Sequence, residues 1–250
     1  MEKRIIFKYL IMFIYFVNCI SVKVSIIIPA FNTEKYLERC LLSVINQTLK
    51  EIEIICIDDN STDNTLNIFK NFERQDNRIK VIHFEENKGV AAARNEGIKV
   101  ATGEYIGFMD SDDYADEKYY ENLYNNSYDY DVIVGKYVDG TNNSERYLKV
   151  NRRYIHGAIF DSIWKKRFIL DNNVKHNINM KTGSDKRFRK DVYKFNPKVL
   201  QLPDEGIYYY YKRREGSLTN FDKNDLEKIE KIAKKREKNN KNNVFIKKEI

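Results

Sequence analysis

Tyr105-Ile106-Gly107-Phe108-Met109-Asp110-Ser111-Asp112-Asp113 runs five largely apolar residues into three carboxylates packed within four positions. The apolar run reads as a buried strand. Carboxylates crowded at the mouth of such a strand repel one another unless positive charge sits between them. A divalent cation meets that need, because hard oxygen ligands suit Mg²⁺ or Mn²⁺, and these ions carry phosphates. A solvated acidic turn that merely ends the strand is the plainer alternative, since Asp-x-Asp alone is a weak motif.

Working outward, the preceding chain alternates regularly. Val24–Ala30 reads as an apolar strand. Thr33–Asn46 carries Tyr36, Leu37, Cys40, Leu41, Val44 and Ile45 at helical spacing, with Thr33 as its N-cap. Strands follow at Ile52–Ile57, Ile79–Phe84 and Tyr105–Met109. Between them lie a helix capped by Asp63 and running to about Gln75, and an Ala-rich helix over Gly89–Val100 that Thr102-Gly103 stops. Strand–helix repeats of this length predict an α/β fold, a mostly parallel sheet with helices on both faces. Ligands in such sheets bind at the carboxyl ends of the strands. Polar residues gather at three of those ends: Asn32-Thr33-Glu34, Asp58 to Asp63, and Asp110 to Asp113.

The length of 250 residues suits one α/β domain, or one domain with a small appendage. With 18 Tyr and 14 Phe but only 10 Gly and 3 Pro, most of it should be globular. Of the formal charge of +7, +4 comes from residues 221–250, where ten Lys/Arg face six Asp/Glu, so the excess reads as a property of a tail. No basic stripe with interleaved aromatics marks the globular part, which argues against a nucleic-acid partner. Cys19, Cys40 and Cys56 form no Cys-x-x-Cys pair, and the last two read as buried thiols. Residues 1–21 combine a basic start, the apolar run Tyr9–Val17 and small residues at Cys19 and Ser21, as in a cleaved signal peptide or an N-terminal anchor. The expected location is therefore the secretory pathway or a membrane surface reached through the N-terminus, rather than the cytoplasm. Residues 221–250 read as a charged, partly disordered tail.

Four stretches occur in a telling order: Val24-Ser25-Ile26-Ile27-Ile28-Pro29-Ala30-Phe31-Asn32, Asp58-Asp59-Asn60-Ser61-Thr62-Asp63, Asn87-Lys88-Gly89-Val90-Ala91-Ala92-Ala93-Arg94-Asn95, and Asp110-Ser111-Asp112-Asp113. Together they closely resemble the family 2 glycosyltransferases, which have the GT-A fold. The resemblance is strong over about residues 23–125. It resumes at Ile163–Phe168 and at Tyr208–Thr219. It implies a transferase domain over residues 22–220, with a nucleotide-sugar half at 22–125 and an acceptor-side half at 126–220.

The resemblance also implies roles. Pro29, Ala30, Phe31 and Asn32 would line the nucleoside, with an aromatic stacking on the base. Asp59 would accept the base N–H, with Asp58 as the lesser choice and a turn cap as its plain alternative. Glu34 is either a ligand-side carboxylate or a first-turn helix acid. Arg94 either meets the diphosphate or pairs with an acidic loop residue. Asp110, Ser111 and Asp112 would face the diphosphate, with Asp110 and Asp112 holding Mn²⁺ or Mg²⁺, and Asp113 would support them from behind.

For the base, the family pattern is a Glu-Asp pair with an aromatic three residues later. Gly183-Ser184-Asp185-Lys186-Arg187-Phe188 matches it, with Ser184 in place of Glu and Asp185 as the base. Lys186 and Arg187 are expected to lower the Asp185 pKa. A helix N-cap is the plain alternative for Asp185. Trp164 matches an acceptor-side aromatic or is a core residue. The reading is an inverting glycosyltransferase that moves one sugar from a nucleotide-sugar donor, UDP-linked, to a hydroxyl on a glycan, lipid-linked or protein acceptor. A non-catalytic sugar-nucleotide or glycan-binding homologue is the alternative. A nucleotidyltransferase is disfavoured, because Ala30-Phe31-Asn32-Thr33-Glu34 stands where a Gly-rich basic loop is needed.

Overall fold

The computed structural model describes residues 21–141, 144–147, 158–180, 182–202 and 207–211. Almost all of the targeting segment, the stretch Lys212–Thr219 and the charged tail lie outside them. Two strands form the centre: β1 (Val24–Ala30) and β2 (Ile52–Asp58), in which every residue is buried. Strands covered on both faces need apolar side chains throughout, and their Ile-rich sequences supply them. A seven-stranded sheet grows from this pair in the order β10-β6-β9-β4-β1-β2-β3. Its other strands are β3 (Ile79–His83), β4 (Tyr105–Phe108), β6 (Val132–Val134), β9 (Ser162–Lys165) and β10 (Val199–Gln201). β1, β2, β3 and β4 pair in parallel, as do β6 and β10. β9 alone runs antiparallel, between β4 and β6. The α/β, mostly parallel architecture expected from the repeats is therefore present.

Helices cover both faces. α1 (Glu34–Ile45) buries Leu37, Cys40, Leu41 and Val44, one stripe at i, i+3, i+4 and i+7. It shares a core with Phe69 of α2 (Thr65–Gln75) and Leu123 of α4 (Tyr119–Asn125). On the opposite face α3 (Val90–Val100), α5 (Lys166–Asp171) and α6 (Ser184–Tyr193) pack through Ala93, Ile98, Ile169, Phe188 and Val192. A second sheet, absent from the sequence reading, joins β5 (Tyr114–Ala115), β11 (Ile207–Tyr211), β7 (Lys136–Thr141) and β8 (Ser144–Tyr147) in that order.

Two caps differ from expectation. Thr33 occupies the N-cap of α1, but its side chain makes no capping bond and its Oγ1 is buried without a partner among the described residues. The Thr33 amide instead donates to Thr65 Oγ1, which ties the two helix starts together. The N-cap of α2 is Asn64, not Asp63. Asp63 still accepts the Thr65 N–H through Oδ1, while its Oδ2 accepts the Glu34 N–H.

Pro29 sits in a central strand without breaking it. Ala30 faces β2, where its carbonyl accepts the Asp59 N–H, so Pro29 faces β4, whose pairing with β1 has already ended at Ile27–Phe108. Gly97 lets α3 approach β1 closely, because a Cβ there would lie 2.5 Å from Ile27 Cγ2.

At the other end of the sheet Glu53, almost fully buried, accepts from Ser25 Oγ, the Thr102 amide and hydroxyl, and Lys80. Burial pushes its pKa up, but those donors outweigh burial and bring it down to about 2 from the ordinary 4.5. A depressed carboxylate pKa adds stability that is complete above 4.5 and is lost as pH falls toward about 2. The shift corresponds to about 3 kcal/mol. Urea denaturation of Glu53→Gln should therefore show a loss of that order at neutral pH and a flatter decline in acid. Parallel pH curves for the variant and the parent would contradict this.

Candidate active site

The carboxyl ends of β1, β2 and β4 share one rim, and the three polar loops meet there. The first two are stitched to each other. Asn32, in the left-handed region at φ 52°, accepts the Thr62 N–H through Oδ1 and donates its own N–H to Ser61 Oγ. Glu34 accepts the Asn64 N–H through Oε2. Both polar candidates of the first loop thus brace the second, while Phe31 stands 45% exposed at the rim. Pro29 and Ala30 are buried behind it.

Asp58 and Asp59 are both buried. Asp59 accepts the Lys88 and Gly89 amides, one on each oxygen, and so fixes the start of α3. Burial is the largest influence on its pKa, which lies above the ordinary value. Asp58 accepts the Ser61 N–H and lies 2.8 Å from His83 Nδ1 through the same Oδ2. The turn-capping alternative for Asp58 is thus seen.

Arg94 ties the site together. It is 3% exposed on α3. Nη2 donates to Asp110 Oδ1 at 2.8 Å and Nη1 to Asp185 Oδ1 at 2.5 Å. One planar fork therefore joins the carboxylate expected to bind metal to the one expected to act as base, although they stand 75 positions apart in sequence. Neighbouring Asn95 clamps the second half as well: its amide donates to the His176 carbonyl and accepts the His176 N–H. Sequence reasoning gave Asn95 no role. Its adjacency to Arg94 was the available signal.

Asp185 lies in the first turn of α6, whose N-cap is Gly183, left-handed at φ 75°. Its carboxylate turns to Arg94, so the N-cap alternative does not describe it. Lys186 and Arg187 point outward, and Arg187 pairs with Asp191. The expected downward pull on Asp185 is therefore corrected. Its pKa is raised, chiefly by burial and further by Asp110, with Arg94 acting against both. Ser184, in the place of the usual Glu, is buried beside His176 Nδ1 at 3.3 Å. His176 stacks on Phe188 at 4.3 Å, and burial holds its pKa well below the ordinary value. Trp164 is fully buried with its indole N–H on the Ile159 carbonyl, so it is a core residue rather than an acceptor-side aromatic. Arg189 lies over its ring and pairs with buried Asp161.

The acidic turn is shaped from behind. Ser111 and Asp113 are buried, whereas Asp110 and Asp112 are half-buried. Asp113 accepts the Tyr208 hydroxyl at 2.7 Å, and the same hydroxyl oxygen accepts the Asp110 N–H at 3.1 Å. Arg39 donates to the Asp112 carbonyl and lies over Tyr114, which stacks on Tyr209. β11 thus brings Tyr208 under the turn. Tyr208→Phe should cost about 1–3 kcal/mol, because a buried carboxylate loses a donor. It should also weaken nucleotide binding, as read by calorimetry. Unchanged stability and affinity would show that the turn holds its shape without the hydroxyl.

This geometry has counterparts. Glycosyl transferase family 2 matches residues 25–195, a span that holds the first two loops, Arg94, the acidic turn and Asp185. The chain belongs to that family. It is 35% identical to "Glycosyltransferase GlyG" of Streptococcus pneumoniae over 80% of this chain and 74% of that protein. It is 34% identical to "Glycosyltransferase GlyA" of the same species over 79% of this chain, but spans only 31% of GlyA. Among solved structures, S. aureus TarS 1-349 in complex with UDP-GlcNAc superposes with a TM-score of 0.70 and 28% identity, covering 80% of this chain and 61% of that one. The GT-A architecture of the family 2 transferases is thereby shown for this sheet and its helices.

Proposed function

We propose that this family 2 chain is an inverting glycosyltransferase that moves one sugar from a UDP-linked donor to an acceptor hydroxyl, with a divalent cation at Asp110 and Asp112. The observation that carries the reading is the Arg94 fork, which sets Asp110 and Asp185 on two sides of one buried cation at the carboxyl end of the sheet. The UDP-GlcNAc in the similar TarS structure supports the donor class.

The residues divide the work. Phe31, open at the rim, offers a face for the base. Asp185 accepts the proton of the acceptor hydroxyl, and its raised pKa makes it a better proton acceptor than an ordinary carboxylate. Arg94 fixes the direction of that carboxylate. Attack from the side opposite the diphosphate needs no covalent intermediate, so the anomeric configuration inverts.

The metal fits the donor chemistry in part. Asp110 and Asp112 are hard oxygen ligands, and Asp110 gives only Oδ1 to Arg94. Among the described residues no group of three or more His, Cys, Asp or Glu side chains converges as a metal cage. The shell would therefore draw on donor phosphate oxygens, and the bound ion would stabilise charge on the leaving diphosphate. Thermal shift tests this. UDP at a hundred times its Kd should add about 2.7 kcal/mol of stability with Mn²⁺ or Mg²⁺ present, and far less with chelator or in Asp112→Ala. Equal stabilisation in all three conditions would remove the metal from the account. The secretory or membrane location expected from residues 1–21 stays part of the proposal. The test is mass spectrometry of the mature N-terminus in membrane and soluble fractions. An intact N-terminus on soluble cytoplasmic protein would overturn it.

A further inference from the structure

Residues 162–198 hold eleven Lys and Arg against three Asp and no Glu. That excess is larger than the tail's, which corrects the reading that the basic charge belongs to the tail. The structure shows where ten of these basic residues lie, Lys181 falling outside the described residues. Ile169 of α5, Val174 of the following loop, and Phe188 and Val192 of α6 enter one core on one face of the large sheet. Whatever those elements turn outward therefore belongs to a single outer surface.

The acids do little to neutralise that surface. Asp185 turns inward to Arg94, Asp171 pairs with Arg167, and Asp191 is shared by Arg187 and Lys194. Exposed Lys175, Lys186, Lys190 and Lys198 form no ion pair among the described residues.

The same stretch is also apolar in places. Seven large hydrophobic residues are exposed among those described: three fall here, Leu170 at 51%, Ile178 at 63% and Phe195 at 47%, and a fourth, Val199 at 37%, follows directly at the start of β10. A solvated charged face has no need of them. A soluble polyanion would engage the lysines and leave these four side chains in water. A second copy of the chain would set one cationic face against another. An anionic bilayer accepts both kinds of group, with headgroups meeting the lysines and the acyl boundary taking up the apolar side chains.

We propose that the outward surface of α5, α6 and the segments that follow each of them, reaching β10, is a docking face for anionic membrane. It is distinct from any contact made by the N-terminal segment, and it does not depend on the reaction assigned above. Because α6 also carries Asp185, docking would hold the acceptor side of the site near the bilayer.

The test is co-sedimentation of the full chain with phosphatidylcholine vesicles, with or without phosphatidylglycerol. Binding should require the anionic lipid and weaken with salt. Each of Lys175→Gln, Lys190→Gln and Lys198→Gln should lower partitioning roughly fivefold. Leu170→Ser with Phe195→Ser should lower it further at constant charge. These sites are exposed, and circular dichroism would verify that the variants remain folded. No binding by the parent chain would overturn the proposal. So would full binding by both variant sets, which would place any contact elsewhere, such as the N-terminal run. Sensitivity to the lysines alone, with soluble polyphosphate bound as tightly, would overturn it in favour of a polyanion.

Discussion

Asp185→Asn is expected to abolish sugar transfer while leaving donor binding within a small factor. The substitution keeps the shape of the side chain and one hydrogen-bond acceptor for Arg94, and it removes proton acceptance. Loss of a positioned base typically costs about 10²–10⁴ in rate. The loss should appear in kcat rather than in the Kd for UDP, because the proposed nucleoside contacts lie in the loops after β1 and β2 whereas Asp185 belongs to α6. Transfer and UDP affinity should be measured on one preparation. Near-normal transfer would move the base to another carboxylate. A collapse of UDP affinity instead would make Asp185 a donor-binding group.

Arg94→Met is expected to have the second large effect, on stability as well as activity. The guanidinium is buried and its two η nitrogens hold two carboxylates. Removing it leaves Asp110 and Asp185 facing one another without their shared cation. Breaking a buried ion pair from one side typically costs about 3–5 kcal/mol. With the opposing cation gone, burial and Asp110 raise the Asp185 pKa further, so the acid limb of the pH–rate profile should move to higher pH. Arg94→Lys keeps a charge but lacks the fork, and should fall between the two. In a double-mutant cycle with Asp185→Asn, the two losses should be strongly non-additive. Simple additivity would mean that the pair is not energetically coupled.

The parts of the molecule legible in the sequence are those written in short-range patterns. β1 begins and ends where its apolar run predicted, and β2 differs only by including Asp58, because strands buried on both faces show an unbroken signal. The stripe of α1 was equally plain. Thr33 takes the N-cap position as expected, but its side chain makes no capping bond, because that bond depends on backbone angles that the residue type does not fix. The site was legible as a set of motifs but not as a network. Nothing local in Arg94 shows that it spans Asp110 and Asp185, or in Tyr208 that its hydroxyl underpins the acidic turn. Lys186 and Arg187 were read as neighbours of Asp185 because they adjoin it in sequence. On a helix, adjacent residues point about 100° apart, and these two face solvent. Total charge hid the basic surface in the same way, since an acidic remainder offsets residues 162–198.

The anomer released when the protein hydrolyses a UDP-α-sugar in the presence of Mn²⁺ tests the central claim most directly, because water serves as acceptor and none need be known. Proton NMR at early times, before mutarotation, should show the β-sugar first, with no release by Asp185→Asn. Initial appearance of the α-sugar, or equal release by the variant, would contradict a single displacement driven by Asp185.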